Sequence, residues 1–253
     1  MNMHCGTTLF SIVTNDGIVI GADSMIDYDG QTGKFRKLQV IRNAVIACEG
    51  IGVINKKETG KTVYRVDQWM AKIESNLPVE LNAATIANHI QKRHPFIRLF
   101  RHKKEREHFY HQQFTKGYLT DFLIGSISQA QMSLLQVRLS VNVEERRLIS
   151  TITTHLDGLA PPGSFVRYGA GRMAEINNAF GGNGDAYQNM LVGTNGNFKR
   201  LIEGEKVTLD ELCNIVRCAI SLEAKANPEM VGPPFVIATL QPSKPVAVAS
   251  YNE

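Results

Sequence analysis

No stretch of this chain approaches the ~18 consecutive apolar residues that a membrane helix needs. Its start also lacks the charged segment and apolar run of a signal peptide. Cysteine is scarce: Cys5, Cys48, Cys213 and Cys218 have neither a metal-binding spacing nor the density of a disulfide framework. Free thiols in a reducing cytoplasm are expected, with Cys48 and Cys213, which sit in apolar runs, in the core. A strong charge of one sign is missing too, since a formal net charge of +4 is too small to imply a nucleic-acid partner by itself. There is no internal repeat and no linker long enough to separate two domains. What remains is 253 residues with 43% apolar and 21% charged content, which fits a single soluble domain over residues 1–253 with a full core.

The most informative stretch is the first fifty residues. Two short apolar runs, Leu9–Val13 and Ile18–Ala22, flank Thr14-Asn15-Asp16-Gly17, which suits a tight hairpin because Asn, Asp and Gly tolerate positive φ. The second run ends in Asp23-Ser24, placing a carboxylate just past a buried strand. Lys37 precedes a third apolar run, Val40 to Cys48, and Glu49-Gly50 follows it. Residues 51–62 read as a loop. Its Gly60-Lys61-Thr62 is not a phosphate-binding loop, because Asn55 stands where that pattern needs its first glycine.

Were the chain cut after Gly6, Thr7 would carry a hydroxyl and a free α-amine, whose ordinary pKa is about 8. Such an amine can take the hydroxyl proton and make the residue its own nucleophile and base. A nearby lysine, Lys37, would lower the amine's pKa by like-charge repulsion, and Asp23 could orient the lysine. The Gly50 backbone N–H could face a developing oxyanion, since glycine allows close approach. The plainer alternative is that Thr7 and Thr8 are strand residues, Asp23 a strand end, Lys37 a surface charge and Gly50 a turn.

In Gly6-Thr7-Thr8, the Gly-Ile-Val-Ile-Gly-Ala-Asp-Ser run at 17–24, Lys37 before a strand and Gly50 after it, the sequence resembles the proteasome β-type family of N-terminal-nucleophile hydrolases. It is similar also to the related bacterial ATP-dependent two-component protease. The resemblance implies an α+β fold built as a four-layer αββα sandwich. It implies a threonine-type peptidase acting in protein catabolism, with residues 1–6 as a propeptide. Thr7 would be the nucleophile, Asp23 and Lys37 its supporting charges, and Gly50 the oxyanion donor. Identical subunits in a ring or other closed oligomer, a peptide or unfolded protein substrate and an ATP-dependent unfoldase are the implied partners. Neither a membrane nor a nucleic acid is expected among them, and no cofactor or metal is implied. Cys5 is an alternative terminal nucleophile, as in an amidohydrolase, ranked below Thr7. A non-catalytic assembly protein of the same fold, with its leading residues retained, is the rival reading. It draws on two departures. Ala170 stands where the family has the serine of a Gly-Ser-Gly turn. Asn227, or Glu229, and Val231 stand where it has an aspartate and a serine.

Further along, Val66, Trp69, Met70, Ile73 and Leu77 recur at helical spacing, so Trp69 and Met70 read as core, and Pro78 ends that helix. Asn82 suits an N-cap for Ala83, Ile86, Ala87 and Ile90. Strands are expected over 118–126, 132–143, 148–154, 164–171, 235–240 and 246–250. A helix is expected over 172–180, a flexible break over 181–185, and a last long helix after the capping box Thr208-Leu209-Asp210-Glu211. Residues 92–117 form a basic insertion or extended helix end. Lys92, Arg93, Arg98, Arg101, Lys103, Lys104 and Arg106 crowd there with four histidines and interleaved aromatics. A solvated basic face whose aromatics dock on the core or a neighbouring subunit is preferred over a nucleic-acid patch. The histidines lack rigid metal-ligand spacing.

Overall fold

The computed structural model describes residues 2–5, 8–28, 31–34, 36–55, 59–78, 81–100, 107, 109, 117–128 and 131–252. The fold is α+β, with two antiparallel sheets and packed helices. The first half runs through β1 (Asn2–Cys5), β2 (Thr8–Thr14), β3 (Gly17–Ala22), β4 (Met25–Tyr28), β5 (Gln31–Lys34), β6 (Leu38–Ile41), β7 (Ala44–Asn55) and β8 (Thr62–Arg65), then α1 (Val66–Ile73), α2 (Ala83–Arg93) and α3 (Pro95–Leu99). The second half runs through β9 (Thr120–Ser128), β10 (Gln131–Asn142), β11 (Arg147–Gly158), β12 (Val166–Gly171), α4 (Ala174–Phe180), α5 (Gly184–Gly193), α6 (Asn197–Ile202), α7 (Leu209–Ala226), β13 (Phe235–Leu240) and β14 (Ala247–Tyr251). One large sheet has the order β1-β7-β9-β10-β11 with β6 and β8 also on β7, the second large sheet is β12-β2-β3-β13-β14, and β4 and β5 pair as a separate two-stranded ribbon. No helix among the described residues is long and apolar enough to cross a membrane.

The period of two along β2 and β3 decides which way each side chain points. Leu9, Val13, Ile18 and Ile20 pack with Val45, Ala47 and Leu123 of the other sheet. The intervening Phe10, Ile12 and Val19 pack with Val216, Ile220 and the other helices of the second half. The far face of the first sheet, through Ile46, Cys48, Phe122 and Ile124, covers α1 and α2 through Met70, Ile86 and Ile90. Burial on both faces is why these strands read as unbroken apolar runs instead of alternating ones. Gly21 lets α7 approach β3, because a Cβ there would lie 2.6 Å from both Ile220 and Val216 side chains.

Several boundaries differ from the sequence reading. The run from Val40 to Cys48 is a hairpin, β6–β7, turning at Arg42 with φ 54°. Residues 51–55 are strand, so the expected loop shrinks and Gly50 lies inside β7 instead of after it. At Gly50 the strand changes partners. Residues 44–50 pair with β9, whereas β1 pairs with β7 from Ile51 to Asn55. Gly50 has φ 101°, and a Cβ there would lie 2.3 Å from the Leu119 carbonyl oxygen, so glycine is required at this bend. The expected break at 181–185 is only a short turn, because α5 starts at Gly184. The helices α5 and α6 were not anticipated.

The charged stretch after α2 is anchored from within. His94 is buried and caps α3, its Nδ1 accepting the Phe96 N–H at 3.2 Å. Nε2 therefore carries the proton and donates to the Tyr64 hydroxyl at 3.0 Å. The rings of Trp69, Phe96 and Phe122 surround it, and Phe96, Phe100 and Phe109 enter the same core. Expected positions at 101–106, 108 and 110–116 lie outside the described residues. Burial pushes the His94 pKa down to about 3. Below pH 6.5 the unfolded chain gains a proton here that the folded chain cannot hold, so stability falls as pH drops from 6.5 towards 3. His94→Asn keeps a capping acceptor and cannot titrate. Urea unfolding at pH 7, 6, 5 and 4 should show a shallower loss for the variant, by up to about 1.4 kcal/mol per pH unit. Equal slopes would remove His94 as the cause.

Candidate functional site

The end of β3 and the loop before β6 bring Asp23 and Lys37 together inside the protein. Both are about 1% exposed. Lys37 Nζ donates to Asp23 Oδ1 at 2.9 Å. The same oxygen accepts the Thr8 backbone N–H at 2.8 Å, and Asp23 N–H returns a bond to the Thr8 carbonyl at 3.2 Å. Oδ2 accepts the N–H of Met25 at 2.9 Å and that of Gly232 at 3.5 Å. A carboxylate this deep needs such a full shell, since its desolvation is otherwise uncompensated. Burial pushes the Lys37 pKa down from lysine's usual range, while the Asp23 charge pulls it back up.

Thr7, the predicted nucleophile, lies outside the described residues. Its neighbour Thr8 is fully buried, with Oγ1 donating to the Arg172 carbonyl at 2.9 Å. Thr8 is also opposite Gly171 at the end of β12. The chain thus passes Asp23 one residue after Thr7. Gly50 is two residues beyond Cys48, whose N–H donates to the Lys37 carbonyl at 2.9 Å. Asp23 and Lys37 are therefore brought together, with β7 running past Lys37 towards Gly50. Cys5 pairs with Ile51 at the end of β1. Burial pushes the Cys48 thiol pKa up, so that thiol is an inert core group.

The two departures from the family pattern are in place as well. Ala170 is paired with Leu9 and is nearly buried, so no hydroxyl faces the site from that position. Asn227 caps α7 and Glu229 is exposed. The segment they lead into still reaches the site, through the backbone: Gly232 N–H on Asp23, and Ser24 N–H on the Gly232 carbonyl at 3.2 Å.

A second buried polar cluster adjoins the first. Asp121, fully buried, is held by a two-pronged contact from Arg138, Nε to Oδ1 at 2.9 Å and Nη2 to Oδ2 at 2.7 Å. Gln136 and the Tyr168 hydroxyl also donate to Oδ2, at 2.9 Å and 3.4 Å. Arg138 lies over the Tyr118 ring at 4.6 Å, and the Tyr118 hydroxyl is hydrogen-bonded to the buried Glu49. Burial raises both tyrosine pKa values, keeping them protonated donors. One sign of this cluster is visible in the sequence: Asp121 is a carboxylate at the head of the largely apolar run Phe122–Ile127. Only the β9–β10 register, which sets it opposite Arg138, reveals the pair. Among the described residues, no group of three or more His, Cys, Asp or Glu side chains is placed to hold a metal ion. No family model matches the sequence, and no curated protein matches it.

Asp23→Asn should expose how much the pair depends on its charge. Removing one partner of a buried pair costs about 3–5 kcal/mol. Because the Lys37 pKa is lowered on folding, the unfolded state binds more protons between that lowered value and 10.5, and stability there rises with pH. Losing the Asp23 charge lowers the Lys37 pKa further and widens that window. Urea unfolding should therefore show a large deficit for Asp23→Asn at pH 7 that narrows by pH 10. A deficit unchanged between the two would disconnect Lys37 from it.

Proposed function

We propose that this chain is a proteasome-like threonine peptidase of the N-terminal-nucleophile kind, processed at Gly6-Thr7. The observation that carries the reading is the sharing of Asp23 Oδ1 between Lys37 Nζ and the backbone N–H of Thr8. It ties a buried ammonium to the residue that follows Thr7. The stacking of the cores supports it: helices, sheet, sheet and helices follow one another, as in a four-layer αββα sandwich.

In this reading the freed α-amine of Thr7 takes the proton of its own hydroxyl as Oγ attacks a peptide carbonyl. Lys37, held by Asp23, keeps that amine neutral by charge repulsion. The carbonyl oxygen becomes an oxyanion facing the N–H of Gly50. Collapse breaks the peptide C–N bond, the leaving amine takes the proton, and water hydrolyses the resulting ester. The active form would assemble from identical subunits in a closed oligomer, fed peptides or unfolded chains, with an ATP-dependent unfoldase as the supplier.

Two observations favour a second reading, a non-catalytic assembly protein of this fold. Residues 2–5 are held as a strand on β7, and Ala170 replaces a family hydroxyl. Intact mass separates the two. The peptidase reading expects loss of Met1–Gly6 from the purified chain. Thr7→Ala should retain those residues and lose peptide hydrolysis by at least about a thousandfold. A variant that hydrolyses peptides as fast as the parent would end the peptidase reading, and an inactive parent that keeps Met1 would support the assembly protein.

A further inference from the structure

A cleft of about 460 Å³ opens over β12, and the proposed chemistry does not use its walls. β12 lines it from Gly169 to Gly171, and Gly171 is paired with Thr8, the residue that follows the proposed nucleophile in sequence.

Its polar side chains are mostly donors: Arg138 and Arg167 bring two guanidinium groups and Asn177 an amide, while the phenols of Tyr118 and Tyr168 spend their protons on Glu49 and Asp121. No carboxylate lines the cleft among the described residues. Asp121 lies behind the wall, fully buried and already covered by Arg138, Gln136 and Tyr168. Arg138 is fixed by its Nε and Nη2 contacts to that aspartate and by stacking on Tyr118. No contact to Asp121 uses Nη1, and 44% of the side chain is exposed. Arg167 is exposed, stacks over Phe180 at 4.7 Å, and touches Asn177 Oδ1 at 3.5 Å, which turns the Asn177 NH₂ away from that contact. Phe10 and Met173 supply apolar surface for a short methylene chain. A preorganised arginine beside other donors is the arrangement that recognises a planar anion.

We propose that this cleft is a specificity site for an acidic side chain of the substrate, with the carboxylate received by Arg138 and Arg167. The assignment of the bound side chain to a substrate rests on the peptidase reading; the binding of the carboxylate does not. Arg167 is the residue to vary, because it is exposed and holds no buried partner, whereas removing Arg138 would strand Asp121.

The test has a binding arm and a turnover arm. In the first, N-acetyl-glutamate amide and its neutral counterpart N-acetyl-glutamine amide are titrated into the purified protein and followed by NMR. N-acetyl-glutamine with a free carboxylate reports on a chain terminus as the alternative source of the anion. Saturable binding of the glutamate probe, at least tenfold tighter than either other probe and at least tenfold weaker in Arg167→Glu, is expected. Equal binding of the glutamate and glutamine amides, preference for the terminal carboxylate, or indifference to Arg167→Glu would overturn the site. In the second arm, amidated peptides differing only by Glu or Gln are compared. Arg167→Glu should lower kcat/KM for the Glu peptide at least tenfold and leave the Gln peptide unchanged. Equal losses on both peptides would overturn it. Selective glutamate binding in a chain that cleaves neither peptide would keep the carboxylate site and discard the peptidase reading.

Discussion

The carboxylate of Asp23 is the point on which the rest of the structure turns. Four donors converge on its two oxygens: the Lys37 ammonium and the backbone N–H groups of Thr8, Met25 and Gly232. They come from the start of β2, the turn after β3, the loop before β6 and the segment after α7. A buried ion pair contributes little net stability when compared with a well-packed apolar pair, because both charges must leave water. Its effect is to specify geometry. Any shift of these four segments leaves a charge or a backbone donor unsatisfied, at a cost of several kcal/mol. Asp23 is thus a lock between strands that are far apart in the chain.

The sheets explain why such a lock can sit at this depth. β2 and β3 are covered on one face by α7 and on the other by β7 and β9, so their ends meet little water. β9 and β10 carry a second lock of the same design, Asp121 held by Arg138 and Gln136. Asp23 follows β3 of one sheet, Lys37 precedes β6 of the other, and Asp121 lies on β9 of that second sheet, where Tyr118 is hydrogen-bonded to Glu49 of β7. Lys37 is lowered by burial, and Glu49 is among the charges that pull it back.

Local signals were the legible ones. The turn at Thr14–Gly17, the N-cap at Asn82 and the capping box at Thr208 and Glu211 are all formed where the residues announce them. Each depends on chemistry within a few residues. The Asp23–Lys37 contact is also expected, from what a terminal nucleophile needs and from a family likeness, and not from local spacing. Long-range facts stayed hidden. Gly50 reads as a turn, and only the Leu119 carbonyl against it shows that it is a bend inside one long strand. The Gly-rich run at 181–185 masked the start of α5, because glycine lowers helix propensity while Met190 and Ala186 supply the burial that overrides it. Asp121 and Arg138 are seventeen residues apart and meet only through hairpin register.

The four residues of β1 occupy the rim of β7 just past its bend, from Ile51 to Asn55. Were the chain severed before Thr7, β1 would be held on that rim by strand pairing alone, and its dissociation would leave the rim without a neighbour. Main-chain groups so uncovered attract another extended segment, including the fragment just released. Under that cleavage the released strand and any other extended segment would compete for one groove, and the rate at which the strand diffuses away would set how long the groove stays filled.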